Sequence, residues 1–120
     1  MHWSKIGARH RQDAALRRQE ICCLYFVGQD HDVLGELVLP GGMSTVSLPL
    51  AAIARGLVRL DAAYLFLAHN HPSGEARPSE QDIAATRQIW RTARAVGASL
   101  QDHYIFGRTG CFSFRENGLL

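Results

Sequence analysis

Apolar residues with two different spacings divide the chain into strands and helices. Strands are predicted over Ile21–Val27, which is apolar throughout, and over residues 32–39, with a turn at Gly28-Gln29-Asp30 between them. Because so short a gap favours a hairpin, we expect these two strands to pair antiparallel. Residues 62–68 are also apolar along their whole length, which is typical of a central strand covered on both faces.

Helices are predicted where apolar residues recur three and four positions apart. After Pro49 this stripe comprises Leu50, Ile53, Ala54, Leu57 and Val58. A longer helix over residues 79–96 offers the core Ile83, Ile89, Trp90, Ala93 and Val96. Residues 100–106 and 111–114 favour a closing hairpin, and residues 7–19 favour a peripheral helix. The order (α)-β-β-α-β-α-β-β predicts an α/β fold with a mixed sheet flanked by helices.

Composition predicts one soluble globular domain. The 120 residues are 47% hydrophobic and 20% charged, and we place the domain at residues 20–120, behind a basic helical segment at residues 1–19. No apolar run approaches the roughly 20 residues of a membrane helix. The N-terminus leads into charged residues rather than a signal sequence, so we expect a cytoplasmic protein. The three cysteines lack C-x-x-C spacing and are expected to be reduced thiols.

The chemistry-bearing residues follow the third strand. His69 and His71 are two positions apart, so an extended backbone places both imidazoles on one side and Asn70 on the other. A loop rich in proline and glycine then returns the chain to Asp82, in the first turn of the next helix. Two neutral imidazoles and one carboxylate form a known catalytic zinc set that leaves a fourth position for water. The sequence therefore predicts one Zn²⁺ per chain, bound by His69, His71 and Asp82.

Each part of this pattern also has an ordinary structural explanation. Ser79-x-x-Asp82 is a good helix capping box, and an isolated His-x-His pair is more often a hydrogen-bonded surface or core pair. The full pattern, H-x-H followed by seven residues and S-x-x-D, arises by chance in a chain of this composition about once in a thousand. This conjunction favours a metal site, and capping and ligation can coexist in Asp82.

A metal-dependent hydrolase also needs a carboxylate that carries a proton from water to the leaving group. Glu36 is the only acid within the apolar part of the second strand, where a charge is costly unless it has a function or a partner. A solvent-facing strand position is the alternative, and the residues alone favour it. Glu75 and Glu80 are nearer in sequence to the histidines, but both look solvated.

Together these residues resemble a known motif. Glu36, His69-Asn70-His71, Ser79 and Asp82 are similar to the JAMM motif of JAB/MPN-plus metalloproteases. The segments H-N-H-P-S-G, P-S-E-Q-D-I, D-H-Y-I-F-G and F-S-F-R-E resemble most the bacterial RadC-like branch, over about residues 20–117. The resemblance implies a deaminase-like α/β fold with one zinc held by His69, His71 and Asp82. It implies that Glu36 is the general acid/base and that Ser79 helps to stabilise the oxyanion.

The leading hypothesis is therefore hydrolysis of a peptide or isopeptide bond in a peptide or protein-conjugate substrate. Asn70 stands where JAMM peptidases that cleave ubiquitin conjugates usually have serine or threonine, so the resemblance does not extend to a substrate. His103 matches the D-H-x-I segment and is expected to be a hydrogen-bonded packing residue.

Two functions of other classes stay open. A DNA-repair or DNA-binding accessory is the main alternative, since the N-terminus could make weak nucleic-acid contacts through Lys5, Arg9, Arg11, Arg17 and Arg18. A solvated basic helix face is the commoner meaning of such a segment. The second alternative is a scaffold that binds zinc without catalysis and recognises a partner. A zinc nucleobase deaminase is disfavoured, because H-x-E and P-C-x-x-C are absent.

Overall fold

The computed structural model describes residues 20–41, 43–71, 74–108 and 110–120. These ranges contain five strands and two helices: β1 (Ile21–Val27), β2 (Val33–Pro40), α1 (Leu50–Arg59), β3 (Tyr64–Asn70), α2 (Glu80–Ala95), β4 (Ser99–Phe106) and β5 (Cys111–Ser113). The helix and the basic residues predicted before residue 20 lie outside the described residues. In the described ranges, neither helix has the length and apolar character needed to cross a bilayer.

The strands form one mixed sheet in the order β2-β1-β3-β4-β5. β1 pairs antiparallel with both β2 and β3, β3 pairs parallel with β4, and β4 pairs antiparallel with β5. Helix α2 provides the crossover that the parallel pair β3 and β4 requires. The predicted α/β class, the mixed sheet and both hairpins are confirmed, and the apolar third strand is the central one.

Both described helices pack on the same side of the sheet, which we call the helix face. Side chains alternate along β1, so Cys22, Leu24 and Phe26 lie on the helix face with the buried residues of both helices. Gly56 allows α1 to approach closely, because a Cβ there would lie 2.8 Å from the Phe26 ring. The other face carries a second buried cluster, which includes Tyr25 and Phe66.

Two predictions about individual elements differ from the structure. β3 runs from Tyr64 to Asn70 rather than over residues 62–68, because His69 pairs with Cys22 of β1 and with Ile105 of β4. The histidine pattern therefore begins inside the central strand. Trp90 and Val96 are 36% exposed instead of belonging to the core, and Val58 of the predicted α1 stripe is 65% exposed. The Arg94 guanidinium lies 5.0 Å from the Trp90 ring centroid, a cation–π contact on the solvent side of α2.

A buried carboxylate joins β4 to the end of the chain. Asp102 accepts hydrogen bonds from the Ser113 hydroxyl (2.6 Å) and from the backbone N–H groups of His103 (2.7 Å) and Arg115 (3.0 Å). The Arg115 guanidinium donates in turn to the carbonyl oxygens of Leu100 and Gln101. Because a buried charge without partners is costly, this network accounts for Asp102, Ser113 and Arg115 in the D-H-Y-I-F-G and F-S-F-R-E segments.

Candidate metal centre

The two histidines lie on the same side of the chain, as predicted. His69 is fully buried near the end of β3, on the helix face, and His71 follows the strand in a half-buried position. Their rings meet edge to face, with centroids 4.6 Å apart. Asn70, between them, accepts a hydrogen bond from the Ile21 N–H at 2.8 Å. That bond fixes the end of β3 against β1 and with it the direction of both imidazoles.

Asp82 lies against both histidines, in the first turn of α2. Its Oδ1 is 3.6 Å from His69 Nδ1, and its Oδ2 is 3.4 Å from His71 Nε2. Ligand atoms around a tetrahedral zinc, each about 2.0–2.1 Å from the metal, are about 3.3 Å from one another. Each oxygen of Asp82 is thus at this spacing from one histidine nitrogen, Oδ1 from His69 and Oδ2 from His71.

Ser79 holds this carboxylate in a capping box. Its Oγ accepts from the Asp82 N–H at 3.0 Å, and Asp82 Oδ2 accepts from the Ser79 N–H at 2.8 Å. Because the same oxygen lies 3.4 Å from His71, the capping role and the approach to the histidines coexist in Asp82. The box gives the metal-facing carboxylate a fixed orientation at the helix N-terminus.

A second carboxylate beside the histidines is that of Glu20, which the sequence patterns did not indicate. Glu20 Oε1 is 2.6 Å from His69 Nε2 and 3.6 Å from His71 Nε2. One ligand atom from each of these three residues lies within 4.8 Å of the other two. The position follows from the sheet: Cys22 pairs with His69, so Glu20, two residues earlier, is brought level with His71. The side chain is 41% exposed, which leaves it accessible to water.

Glu36 is not brought to this cluster. It pairs with Tyr25, three residues along β1 from the Cys22–His69 pair, and therefore lies on the face opposite to the histidines. It is also exposed, on β2 at one edge of the described sheet. The structure thus does not bring the predicted carboxylate Glu36 to the histidines, and it places Glu20 beside them instead. An acid immediately before a strand antiparallel to β3 was the available signal, but it requires knowing that β1 and β3 are neighbours.

The electrostatics of the cluster fit a bound cation. Burial lowers the pKa of His69 from its usual value, against the opposite effects of Asp82 and Glu20, and so favours the neutral imidazole that ligates metals. Among the described residues, the buried His69 Nδ1 has no hydrogen-bond partner, since the 3.6 Å to Asp82 exceeds a hydrogen bond. Two imidazoles with two carboxylates form a donor set that zinc accepts. Burial also raises the pKa of the neighbouring Cys22 thiol, which keeps it protonated.

Backbone contacts with the β4–β5 turn fix the loop that follows the histidines. His71 N–H donates to the Phe106 carbonyl at 2.8 Å, and Arg108 N–H donates to the Gly74 carbonyl at 2.9 Å. A Cβ on Gly107 would lie 2.2 Å from the Gly74 oxygen and 2.6 Å from the Ala76 nitrogen. Only glycine allows this approach, so Gly107, the last residue of the D-H-Y-I-F-G segment, helps to position the loop that follows His71.

Comparison with known proteins agrees with this architecture. A family model described as the RadC-like JAB domain matches residues 2–119, almost the whole chain. The chain belongs to the RadC-like JAB family. The resemblance noted from the sequence motifs is therefore confirmed.

Three relatives of this RadC-like JAB chain cover different shares of their own length. It is 34% identical to the UPF0758 protein YkfG of Escherichia coli K12 over 107 residues, 89% of this chain and 68% of the relative. YfjY of the same organism is 33% identical over 107 residues, with 67% of its length covered. A UPF0758 protein of Porphyromonas gingivalis W83 is 46% identical over 81 residues, 67% of this chain but 36% of the relative. The chain thus spans about two thirds of the first two proteins and about a third of the last.

Proposed function

We propose that this RadC-like JAB domain is a zinc-dependent hydrolase of amide bonds in a peptide or protein conjugate. His69, His71 and Asp82 would hold the metal, and Glu20 would be the general acid/base. The observation that carries the proposal is the position of Glu20, whose Oε1 lies 2.6 Å and 3.6 Å from the two imidazoles that also contact Asp82. A partly exposed carboxylate beside a buried donor set is suited to moving protons.

The division of labour follows from burial. Asp82 is 3% exposed and is already oriented by its capping box, so it is suited to permanent ligation. Glu20 has a side chain exposed to 41% and can exchange protons with water. When bound, a zinc ion at such a site lowers the pKa of water toward about 7 and polarises a carbonyl group.

Glu20 would act twice in one reaction cycle. Its carboxylate accepts a proton from the water whose oxygen attacks the amide carbon. The protonated carboxyl group then gives that proton to the nitrogen as the C–N bond breaks, so that the products are an acid and an amine. The Ser79 hydroxyl, whose oxygen accepts from Asp82 N–H, retains its own hydrogen for the oxyanion that develops on the amide oxygen.

Substitution of two glutamates tests the proposal directly. In Glu20→Gln we expect zinc stoichiometry to be retained and peptide-library turnover to fall by about 10²–10⁴, because an amide cannot carry the proton. Glu36→Gln is the matched control: it makes the same change on the opposite face of the sheet, and both zinc and turnover should equal those of the wild type.

Three outcomes would count against this assignment. Turnover that survives Glu20→Gln and is lost in Glu36→Gln would return the acid/base role to Glu36. Loss of zinc in Glu20→Gln would make Glu20 a ligand rather than a proton carrier. A wild-type protein that binds zinc but turns over no peptide or isopeptide in the library would remove the hydrolase assignment while leaving the metal centre.

A further inference from the structure

His103 lies directly behind the metal centre. It is fully buried on β4, and its ring centroid is 5.9 Å from that of His69. On its other side the ring stacks on Phe114, with centroids 4.4 Å apart and planes 13° from parallel. The backbone of Phe114 donates to the His103 carbonyl at 3.0 Å. These contacts hold the imidazole in one orientation.

Thr86 connects this imidazole to the main chain of Asp82. Its Oγ1 lies 2.6 Å from the Asp82 carbonyl oxygen and 2.8 Å from His103 Nδ1. A hydroxyl group has one hydrogen, and a carbonyl oxygen can only accept. Thr86 therefore donates to Asp82 and accepts from His103, which requires the hydrogen of His103 to be on Nδ1. The three groups form a directed chain in which each hydrogen is assigned.

We infer that His103 is a positioning residue, which holds Asp82 at ligand distance from the two histidines through the hydroxyl group of Thr86. The inference rests on the metal centre of the proposed function. It assigns to His103 and Thr86 a part in metal affinity, without contact between either residue and the metal.

The capping contact with Ser79 orients the Asp82 carboxylate but does not fix it relative to the sheet. Ser79 belongs to the same helix start as Asp82 and would move with it. His103 belongs to β4, which pairs with the strand that carries His69. The bond from His103 through Thr86 thus fixes the start of α2 relative to the sheet. Groups that orient metal ligands in this way are typically worth 10–100-fold in metal affinity.

Zinc affinity of Thr86 variants, measured by chelator competition, tests this inference. Thr86→Val keeps the shape of the side chain and removes the hydroxyl, and we expect at least about tenfold weaker zinc binding. Thr86→Ser should restore affinity. Thr92→Val is the matched control, because Thr92 makes the same bond to a carbonyl four residues earlier, that of Gln88 at 2.9 Å, farther along α2. Its zinc affinity should equal that of the wild type.

His103 variants give a second arm if Thr86→Val fails to fold. His103→Phe keeps a ring to stack on Phe114 but loses the donor, and it should weaken zinc binding to a similar extent. His103→Asn, whose amide can donate in place of Nδ1, should retain more affinity than His103→Phe. The absorption spectrum of the cobalt(II) protein should differ from wild type in Thr86→Val and His103→Phe, since both remove the link between Asp82 and β4. The spectrum of Thr92→Val should equal that of the wild type.

The outcomes separate this inference from the function on which it rests. Equal zinc affinity in wild type, Thr86→Val and His103→Phe would overturn the positioning role and leave the metal centre intact. Equal losses in Thr86→Val and Thr92→Val would show a general effect on α2 and would also overturn it. A wild-type protein without zinc affinity would overturn the proposed function, and the positioning role with it.

Discussion

Among the described glycines, Gly107 is the one at which an added Cβ would come closest to other atoms, 2.2 Å from the Gly74 carbonyl oxygen. In Gly107→Ala the new Cβ would meet backbone atoms of Gly74 and Ala76, which cannot rotate away. We expect a loss of about 2 kcal/mol or more in the free energy of unfolding, measured by urea denaturation. Zinc binding should weaken as well, because the displaced loop directly follows His71.

Gly110→Ala is the control for this prediction. It lies in the same turn, but a Cβ there has nothing within 4 Å, and its φ is outside the left-handed region. Its stability and zinc affinity should match those of the wild type. If Gly107→Ala behaved like Gly110→Ala, the close backbone approach would not constrain the site.

Substitution of Asp102 tests whether its hydrogen bonds to Ser113, His103 and Arg115 stabilise the fold. Asp102→Ala leaves the buried Ser113 hydroxyl and two backbone N–H groups without their acceptor. Because each unsatisfied buried group costs about 1–3 kcal/mol, we expect the free energy of unfolding to fall by about 3 kcal/mol. The exposed Asp32→Ala should change it by less than about 0.5 kcal/mol. A loss no larger in Asp102→Ala than in Asp32→Ala would contradict the role of the network.

At the scale of elements, one substitution at the N-terminus of α2 can separate helix capping from the proposed oxyanion contact of Ser79. Ser79→Asp keeps a side-chain oxygen for the helix cap but has no hydrogen to donate, whereas Ser79→Ala removes the oxygen and should cost about 1 kcal/mol of stability. If the Ser79 hydroxyl also stabilises the oxyanion, Ser79→Asp should keep stability and lower kcat by about 10²–10³-fold. Wild-type kcat in Ser79→Asp would limit Ser79 to capping.

The strands and helices themselves were largely predictable, because each has a clear apolar period. The bounds of β1 agree with prediction to the residue. β3 was placed two residues too early, since the polar His69 and Asn70 interrupt the apolar run although both pair in the sheet. Trp90 was assigned to the core by its spacing, yet its indole is partly exposed and pairs with Arg94. Apolar periodicity thus predicts that an element exists. Strand pairing determines where a strand ends, and contacts of long side chains determine which residues are buried.

At the scale of the whole molecule, the strand order explains which residues of the candidate metal centre could be predicted from the sequence. His69, His71 and Asp82 are joined by one short loop, so their spacing alone brings them together. Glu20 is 49 residues from His69 and reaches it only because β1 lies between β2 and β3. The sequence pattern indicated Glu36 as the acid inside a strand. Glu36 pairs with Tyr25, an odd number of residues along β1 from Cys22, and therefore lies on the face of the sheet opposite to His69. Long-range pairing is the information that local patterns lack.

We propose that β3 and α2 bring His69, His71 and Asp82 to one zinc ion, with Glu20 beside them. The most direct measurement is zinc stoichiometry by metal analysis and calorimetry, on the wild-type chain and on His69→Ala and Asp82→Ala. We predict close to one zinc per wild-type chain and loss of binding in both variants. Wild-type protein that takes up no zinc, or variants that bind it as tightly as the wild type, would contradict the account.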